Sequence, residues 1–240
     1  MPIEINDLET ARFGIVAARI VDAGASPTVI DKAARSQGVQ MLTVRIGVSD
    51  LPRVHAFEEA GYRLMDTLVY HDRPLDVLPP RGALSDGLTC RLAVPDDAPA
   101  VAAVARAGFH GYMGHYHTDP RLDDAAADAA YVEWAETSTA RVSPEAPVLV
   151  VESGGRIVSF LTLRRNSPEE MELVLSAVAP ECHGQGLYAA LISEAFPVSQ
   201  AAGAKRIVTS TQINNYAVQR VWSRLGFIHC RSLYTFHKWF

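Results

Sequence analysis

Cysteine is scarce in this chain, and the few cysteines present are not spaced as metal ligands or as a disulfide framework. Only Cys90, Cys182 and Cys230 occur among 240 residues, an odd number without a Cys-x-x-Cys pair. A disulfide scaffold needs an even set, and a structural zinc site needs paired ligands, so the pattern argues against both. We expect reduced thiols, and no His or Asp stands at a spacing that would mark Cys182 as a nucleophile.

Basic tracts and long apolar runs are also missing. The net charge is −5 with an isoelectric point near 5.9, which argues against a nucleic-acid or anionic-membrane partner. No run approaches the roughly 20 apolar residues that a membrane span requires. The first residues, MPIEINDLETARFG, lack the basic and apolar stretches of a secretory signal. The sequence therefore predicts a cytoplasmic protein without a membrane anchor.

With 48% hydrophobic residues, the composition is that of a globular protein. A length of 240 residues suits one large or two small domains. Prolines and glycines concentrate between 74 and 87 and predict a linker, with domains at 1–80 and 88–240. A weak internal repeat supports two related domains. At an offset of 165 residues, Gly38 matches Gly203, Gly61 matches Gly226, and Phe57 matches Trp222.

Both halves alternate strands and helices. In the first half we predict strands at 13–21, 41–47 and 64–70, with helices at 26–38 and 50–60. In the second half we predict strands at 88–94, 172–178, 206–211 and 233–240 and a hairpin at 148–163. Helices are predicted after 95, at 122–134, before 203 and at 215–225, and Pro197 is predicted to kink or divide the third of these.

The stretch from Glu172 to Tyr188, ELVLSAVAPECHGQGLY, is the most informative part of the sequence. An apolar strand pattern ends at Pro180, which cannot donate a further ladder hydrogen bond. Gly184 and Gly186 then precede a helical pattern, so the chain can turn tightly and direct several N–H groups outward at a helix N-terminus. This predicts an anion site. A strand-to-helix turn whose glycines serve only tight packing is the alternative.

The order of strand, Val-x-Pro, polar residue, Gly-x-Gly and helix resembles the pyrophosphate loop of the GNAT superfamily of N-acetyltransferases, whose pattern is Gln/Arg-x-x-Gly-x-Gly/Ala. The resemblance implies acetyl-CoA held by the backbone amides of the loop. Gly203, seventeen residues after Gly186, agrees with the helix end of that family. The loop itself reads His183, Gly184, Gln185, Gly186, Leu187 and Tyr188, with His in the first position of the pattern and Tyr in the last.

The resemblance also implies roles for residues next to the loop. In the superfamily a bulged strand leaves backbone amides free, and the matching N–H groups of Ala177 and Val178 would meet the acetyl carbonyl and the pantetheine arm. In the histone-type members a strand glutamate acts as general base through water, and Glu172 has the matching spacing to Val178. A solvated glutamate at a strand start is the alternative for Glu172.

The chain departs from the family where the departing sulfur should receive its proton. Most members carry Asn-x-x-Ala-x-x-x-Tyr, with the tyrosine as acid, and the matching positions here are Asn215, Val218 and Trp222. An indole N–H can donate a hydrogen bond but does not give up its proton near neutral pH. We therefore expect Asn215 and Trp222 near the cofactor with Trp222 as a packing wall. Tyr188 and Tyr234 are alternative candidates for the acid, although neither stands at the position where the family carries its tyrosine.

The stretch from 109 to 120 is rich in Gly, His and Tyr, and Phe109, Tyr112 and His115 are predicted to line the acceptor pocket. The histidines at 110, 115 and 117 match no standard ligand spacing, so no metal is expected. The residues at 18–23, ARIVDA, show that the first half has no glycine loop. The expected first half is therefore a partial copy that cannot hold pyrophosphate.

The whole length resembles the sugar-acetylating branch of the superfamily, the TDP-fucosamine acetyltransferases, including an opening strand around ETARFGIVAARI. The resemblance implies an α+β, tandem GNAT-like fold: a partial first half, then a complete domain with a mixed, mostly antiparallel sheet flanked by helices. It implies acetyl-CoA-dependent N-acetylation of a small primary amine, first an amino-deoxysugar nucleotide. An amino acid or an amine-bearing natural product or antibiotic is the second acceptor class. Non-catalytic acyl-CoA binding is the third interpretation, and a homodimer is left open.

Overall fold

The computed structural model of the protein describes residues 1–78, 84 and 86–240. The chain forms two compact units, each assembled from separate stretches. Unit 1 comprises Met1–Val69, Met113–Ala127 and Arg231–Phe240, and unit 2 comprises Tyr70–Tyr112 and Asp128–Cys230. The predicted domains, 1–80 and 88–240, are by contrast each continuous, and the linker predicted at 74–87 lies partly outside the described residues.

Unit 1 is a small sheet packed against helices. In chain order its elements are β1 (Ile3–Ile5), α1 (Asp7–Phe13), β2 (Ala17–Ile20), α2 (Pro27–Ser36), β3 (Met41–Gly47), α3 (Leu51–Glu59) and the first part of β4 (Arg63–Pro74). β2 lies between antiparallel β1 and parallel β3. The last strand of the chain, β10 (Ile228–Trp239), pairs antiparallel with β3 through residues 233–239. Buried apolar side chains such as Ile30, Leu42 and Phe57 form the core.

The start of unit 1 corrects the prediction of a strand at 13–21. Residues 7–13 form α1 instead, because the Asn6 side chain caps its first turn by accepting from the Glu9 N–H. Gly14 ends this helix with a φ of 65°, and only Ala17–Ile20 remain as a strand. The apolar run FGIVAARIV thus spans a helix end, a turn and a strand, which hydrophobicity alone does not separate.

Unit 2 has a mixed sheet with helices on both faces. Its elements are β5 (Leu88–Leu92), α4 (Ala98–Gly108), α5 (Asp124–Ala140, whose first turn belongs to unit 1), β6 (Val148–Ser153), β7 (Arg156–Ser167), β8 (Glu170–Val178), α6 (Leu187–Ala201), β9 (Arg206–Gln212) and α7 (Tyr216–Arg224). The strand order is β9-β8-β7-β6-β5. Neighbours are antiparallel except β8 and β9. The α+β class with a mostly antiparallel sheet is confirmed.

Separate apolar cores cover the two faces of this sheet. One core, which we call the α6 face, contains Leu173, Leu191 and Trp222. The other, the α4 face, contains Val101, Phe160 and Leu175. α6 runs unbroken through Pro197, so the predicted division of this helix is wrong. Proline has no N–H to donate, so the turn loses one hydrogen bond and is held by packing on the α6 face.

The internal repeat predicted at an offset of 165 residues is present in the structure. β3, α3 and β4 recur as β9, α7 and β10, and each element begins and ends 165 positions after its counterpart. Asp50 and Asn215 are matching N-caps of α3 and α7. Gly61 and Gly226, which follow these helices, have φ values of 84° and 83°. The segments β3-α3-β4 and β9-α7-β10 therefore share one arrangement, including the N-cap and the glycine that follows the helix.

Candidate functional site

The glycine loop joins β8 to α6 in unit 2. A short 3-10 turn at Pro180–Cys182 is followed by Gly184 and Gly186, both with a φ of 75°. This left-handed conformation is costly for any residue with a Cβ, which explains both glycines. Gly186 is the N-cap of α6 and offers no side-chain cap to the first turn. The N–H groups of that turn are therefore positioned to bind an anion.

A cavity of about 390 Å³ lies against this loop. Besides the loop residues Gly184 and Gly186, its walls come from the end of β8, the start of α6 and the last turn of α7. The lining residues are Val178, Cys182, His183, Gly184, Gly186, Leu187, Tyr188, Ala189, Val221, Arg224 and Leu225. Arg224 adds a positive charge that no motif in the sequence indicated. The lining includes five of the six predicted loop residues, all but Gln185.

The pairing of β8 with β9 stops partway along both strands. Their parallel ladder runs from Glu170–Arg206 to Leu173–Thr209, although β8 continues to Val178 and β9 to Gln212. On its other edge β8 stays paired with β7 as far as Val178. Within the described residues, the part of β8 after Leu173 thus has a ladder partner on one edge alone.

The ladder with β7 decides which amides of β8 face this gap. The Ala179 N–H donates to the Val158 carbonyl on β7 at 2.8 Å. Backbone groups of successive residues point to opposite edges of a strand, so Ala177 also faces β7, whereas Ser176 and Val178 face away from it. The Ala177 amide therefore does not face the gap, whereas the amide of Ser176, a residue that the sequence reasoning missed, does.

A bulge in β8 places these residues on the cavity side. The register shifts between the pairs Thr162–Leu175 and Leu163–Leu173, which leaves Val174 as the extra residue. Leu173 therefore packs on the α6 face and Leu175 on the α4 face. Beyond the bulge, Val178 returns to the α6 face, where the cavity lies.

Glu172 alternates with Leu173 and lies on the opposite side of β8 from the cavity. Its carboxylate accepts a hydrogen bond from Arg164 on β7 at 2.5 Å, and its side chain is 13% exposed. It belongs to the fully paired part of β8, four residues before Ser176. The structure thus holds a shielded carboxylate on the same strand as the unpaired amides, on the face away from the cavity.

Trp222 is 2% exposed and packs on the α6 face with Phe227. Its Nε1–H donates to the Tyr188 hydroxyl at 3.0 Å. Asn215 caps α7 by accepting from the Val218 N–H, and its amide nitrogen donates to the Thr211 hydroxyl at 3.1 Å. Both predicted cofactor residues thus make contacts within the fold, and neither is among the residues that line the cavity.

Two of the three predicted acceptor residues lie together in unit 2. The Phe109 ring stacks on Tyr131 with centroids 4.8 Å apart, and Tyr112 meets both rings edge-on. The Tyr112 hydroxyl hydrogen-bonds the Gln212 side chain at the end of β9. These rings pack on the α4 face with Leu175. Tyr131 and Gln212 were not predicted, because their approach depends on the fold and not on spacing in the sequence.

Gly108 fixes the position of this aromatic group. A Cβ added at Gly108 would lie 2.7 Å from the Cβ of Ala177. Real Cβ atoms do not approach so closely, so only glycine lets the end of α4 lie directly on β8. Ala177 thus packs directly against the end of α4, next to Phe109.

His115 belongs to unit 1, where it forms a buried chain of hydrogen bonds. Its Nδ1 lies 2.9 Å from the His237 Nε2, and the His237 Nδ1 lies 2.8 Å from the Asp119 carboxylate. Burial alone would raise the pKa of Asp119, but hydrogen bonds from His237 and Trp239 lower it to about 2. Because the ionised carboxylate can only accept, the His237 Nδ1 carries the proton. The predicted acceptor role of His115 stays untested.

Burial lowers the pKa of His115 well below its usual value, and the groups that face it are His237, Arg45, His117 and Asp119. The unfolded chain binds this proton near pH 6.5, whereas the folded chain resists it. The contribution of His115 to the free energy of unfolding should therefore be constant above about pH 6.5. Below pH 6.5 the free energy of unfolding should decrease by up to about 1.4 kcal/mol per pH unit. Urea unfolding across this range measures the slope.

The matched variants for this experiment are His115→Phe and His55→Asn. His55 is exposed on α3. We expect the phenylalanine variant to lose much of the slope below pH 6.5 and the asparagine variant to keep it. An unchanged slope in His115→Phe would contradict the assignment of the acid sensitivity to this histidine.

Two further searches concern metals and membranes. Across residues 1–78, 84 and 86–240, no three His, Cys, Asp or Glu side chains are grouped closely enough to hold a metal ion. None of the helices in the same residues has the length and apolar character needed to cross a membrane.

The sequence is similar to known proteins. The profile of the acetyltransferase (GNAT) family matches residues 109–227. An uncharacterized N-acetyltransferase of Mycobacterium tuberculosis is 30% identical over 135 residues, which cover 55% of this chain and 83% of that protein. The spore coat polysaccharide biosynthesis protein SpsD of Bacillus subtilis is 27% identical over 147 residues, or 60% of this chain. The match spans about half, 48%, of the length of SpsD.

Solved structures share the fold over nearly the whole chain. A GCN5-related N-acetyltransferase from Sphaerobacter thermophilus superposes with a TM-score of 0.68 at 16% identity, covering 99% of this chain and 76% of that chain. A tandem GNAT protein from the clavulanic acid biosynthesis pathway gives a TM-score of 0.65 at 15% identity, covering 93% and 75%. The tandem architecture expected from the sequence is thus found among known structures.

Proposed function

The chain belongs to the acetyltransferase (GNAT) family, and on that premise we propose that it transfers the acetyl group of acetyl-CoA to a primary amine. One observation carries the proposal: the glycine loop and the free amides of β8 follow one another along one face of unit 2. The amides at the start of α6 form a site for a diphosphate. The Val178 and Ser176 N–H groups then offer donors to an extended arm and a thioester carbonyl.

The order of these groups assigns their roles. The loop follows Val178 in the chain, so an arm that extends from the loop along β8 passes Val178 before it reaches Ser176. The Val178 N–H therefore hydrogen-bonds the pantetheine arm, and the Ser176 N–H hydrogen-bonds the acetyl carbonyl oxygen. Negative charge develops on that oxygen when the amine attacks, and a preorganised N–H stabilises it. Glu172 accepts the proton of the amine through water.

The first-choice acceptor is an amino-deoxysugar nucleotide. The half-buried Tyr112 and Tyr131 combine apolar rings with polar hydroxyls, which suits the mixed apolar and polar surface of a sugar. The similarity to a protein named for spore coat polysaccharide biosynthesis supports the same class. An amino acid or an aminated natural product is the second class, because the described contacts of this aromatic group do not require a sugar ring.

Release of free thiol from acetyl-CoA tests the function. The purified chain is incubated with acetyl-CoA and either a panel of amino-deoxysugar nucleotides or a panel of amino acids and aminoglycosides. We expect faster thiol release with the sugar nucleotides. Faster release with the second panel would overturn the acceptor class alone. No release with any amine, together with tight CoA binding, would favour the acyl-CoA-binding interpretation.

We also expect one CoA per chain, bound in unit 2, because unit 1 lacks the glycine loop. Isothermal titration calorimetry measures the stoichiometry. At a CoA concentration of about 100 times the dissociation constant, binding to the folded state alone should add roughly 2.7 kcal/mol to the free energy of unfolding. A stoichiometry of two per chain, or the absence of binding, would contradict the assignment of the anion site to the loop.

A further inference from the structure

The two positions at which this chain departs from the family pattern are in direct contact. Tyr188 occupies the last position of the glycine pattern and Trp222 the position where an acid is expected. The structure joins them by the 3.0 Å hydrogen bond from the Trp222 indole to the Tyr188 hydroxyl. Both residues lie in unit 2, 34 positions apart in sequence and on different helices, so the sequence pattern alone could not relate them.

The Tyr188 hydroxyl keeps its own proton in its hydrogen bond with Trp222. An indole N–H can only donate, so the phenolic oxygen is the acceptor in the bond to Trp222. The hydroxyl also contacts the side chain of Ser176. The backbone N–H of Ser176 is the donor assigned to the thioester carbonyl, and Tyr188 itself lines the cofactor cavity. The hydroxyl is thus held beside the residue that meets the reacting carbonyl.

The chemistry of the thioester requires such a group. When the tetrahedral intermediate collapses, the carbon–sulfur bond breaks and its electron pair stays on sulfur as a thiolate. We propose that the Tyr188 hydroxyl is the catalytic acid that gives its proton to this sulfur, a proposal that rests on the acetyl transfer proposed above. The tyrosinate left behind regains a proton from solvent, and Glu172 releases to solvent the proton it took from the amine. The overall reaction is balanced as amine plus acetyl-CoA giving amide plus CoA thiol.

The state of the tyrosine agrees with this role. Burial raises the pKa of Tyr188 to about 12, against the lowering effect of the hydrogen bonds with Trp222 and Ser176. The hydroxyl therefore carries its proton at neutral pH, and the same two neighbours stabilise the tyrosinate when the proton leaves. Trp222 acts through Tyr188 and is a positioning residue, in addition to its packing on the α6 face.

Turnover of variants gives the first test. Tyr188→Phe should lower kcat about 100-fold or more, the usual range for loss of an acid–base group, with a KM for acetyl-CoA within about threefold. Tyr216→Phe makes the same change at an exposed tyrosine of α7 and should leave kcat unchanged. The double variant Tyr188→Phe with Trp222→Tyr, which returns a hydroxyl from α7, should recover at least about tenfold. Equal kcat in Tyr188→Phe and the wild type would overturn the proposal.

A second pair of variants separates chemistry from packing. Tyr188→Phe leaves the Trp222 N–H without its acceptor, which by itself can disturb the fold. Trp222→Phe alone keeps the Tyr188 hydroxyl, and Tyr188→Phe with Trp222→Phe removes both partners together. The proposal requires the double variant to turn over at least about tenfold more slowly than Trp222→Phe. Equal rates would show that the hydroxyl contributes nothing to the reaction.

Binding of CoA and of desulfo-CoA, which lacks the sulfur, tests the contact without any turnover. Near pH 8.5, where a free thiol is half ionised, the wild type should bind CoA several-fold more tightly than desulfo-CoA. Tyr188→Phe should lose this preference and bind the two ligands equally. A preference that survives in Tyr188→Phe would overturn the proposal. Since this measurement needs no acceptor, failure of the acetyl transfer itself would be recognised separately, by absent thiol release in the wild type.

Discussion

Gly186→Pro should abolish binding of CoA, with a loss of about 100-fold or more in affinity. Proline removes one N–H from the start of α6, and a hydrogen bond to a charged group contributes roughly 1.5–3 kcal/mol. It also fixes φ near −65°, whereas Gly186 has a φ of 75°. The loop must therefore abandon the conformation that points its amides into the cavity. Isothermal titration calorimetry with CoA measures the loss.

The matched controls are two glycine-to-alanine variants. Gly186 and Gly38 both have positive φ, 75° and 67°, and a Cβ added at either would meet no atom within 4 Å. The change should therefore cost a similar free energy of unfolding at both, about 1–2 kcal/mol for the left-handed backbone. Only Gly186→Ala should also weaken CoA binding. CoA binding of wild-type strength in Gly186→Pro would show that the loop does not hold the diphosphate.

Glu172→Gln should lower kcat by about 10² to 10⁴, the range typical of a lost general base, while the affinity for acetyl-CoA stays unchanged. Glutamine keeps an oxygen that can accept from Arg164 but cannot take the proton of the amine. About 13 Å of strand separates Glu172 from Ser176 at roughly 3.3 Å per residue, so the proton travels through water. Steady-state rates across a pH series measure the effect.

The pH series also distinguishes a base from a bystander. At high pH the acceptor amine is already unprotonated, so the rate of Glu172→Gln should partly recover there. Glu169→Gln removes an exposed carboxylate that pairs with Lys205, and it should follow the wild type at every pH. If Glu172→Gln also follows the wild type, the amine is deprotonated by solvent and Glu172 serves only its ion pair with Arg164.

Local patterns predicted the parts of this molecule that depend on neighbouring residues. The glycine loop and the matched elements of the repeat could be predicted because turn glycines and the periodic spacing of apolar residues are visible in short stretches of sequence. Helix α1 was missed, although Asn6 and Gly14 are ordinary cap residues, because the apolar run after Phe13 dominated the interpretation. The sequence prediction of these elements is therefore strongest where caps and hydrophobic periods agree.

Contacts between distant parts of the chain could not be predicted from the sequence. The hydrogen bond between Tyr188 and Trp222 depends on how α6 and α7 pack. The Val174 bulge decides that the Ser176 amide, and not that of Ala177, faces the gap. His115 was grouped with Phe109 because six residues separate them, yet the chain passes from unit 2 to unit 1 between these positions. Proximity in sequence therefore did not indicate which unit each residue belongs to, and the predicted acceptor role of His115 stays a prediction.

The division of β4 and β10 between the units has a consequence for expressing either unit separately. Each strand closes one copy of the repeat, and each crosses over: β4 ends in unit 2 and β10 ends in unit 1. Residues 63–69 of β4 and 231–239 of β10 belong to unit 1, and residues 70–74 and 228–230 belong to unit 2. Because both strands supply residues to both units, a polypeptide divided between the units would leave each of them with incomplete strands.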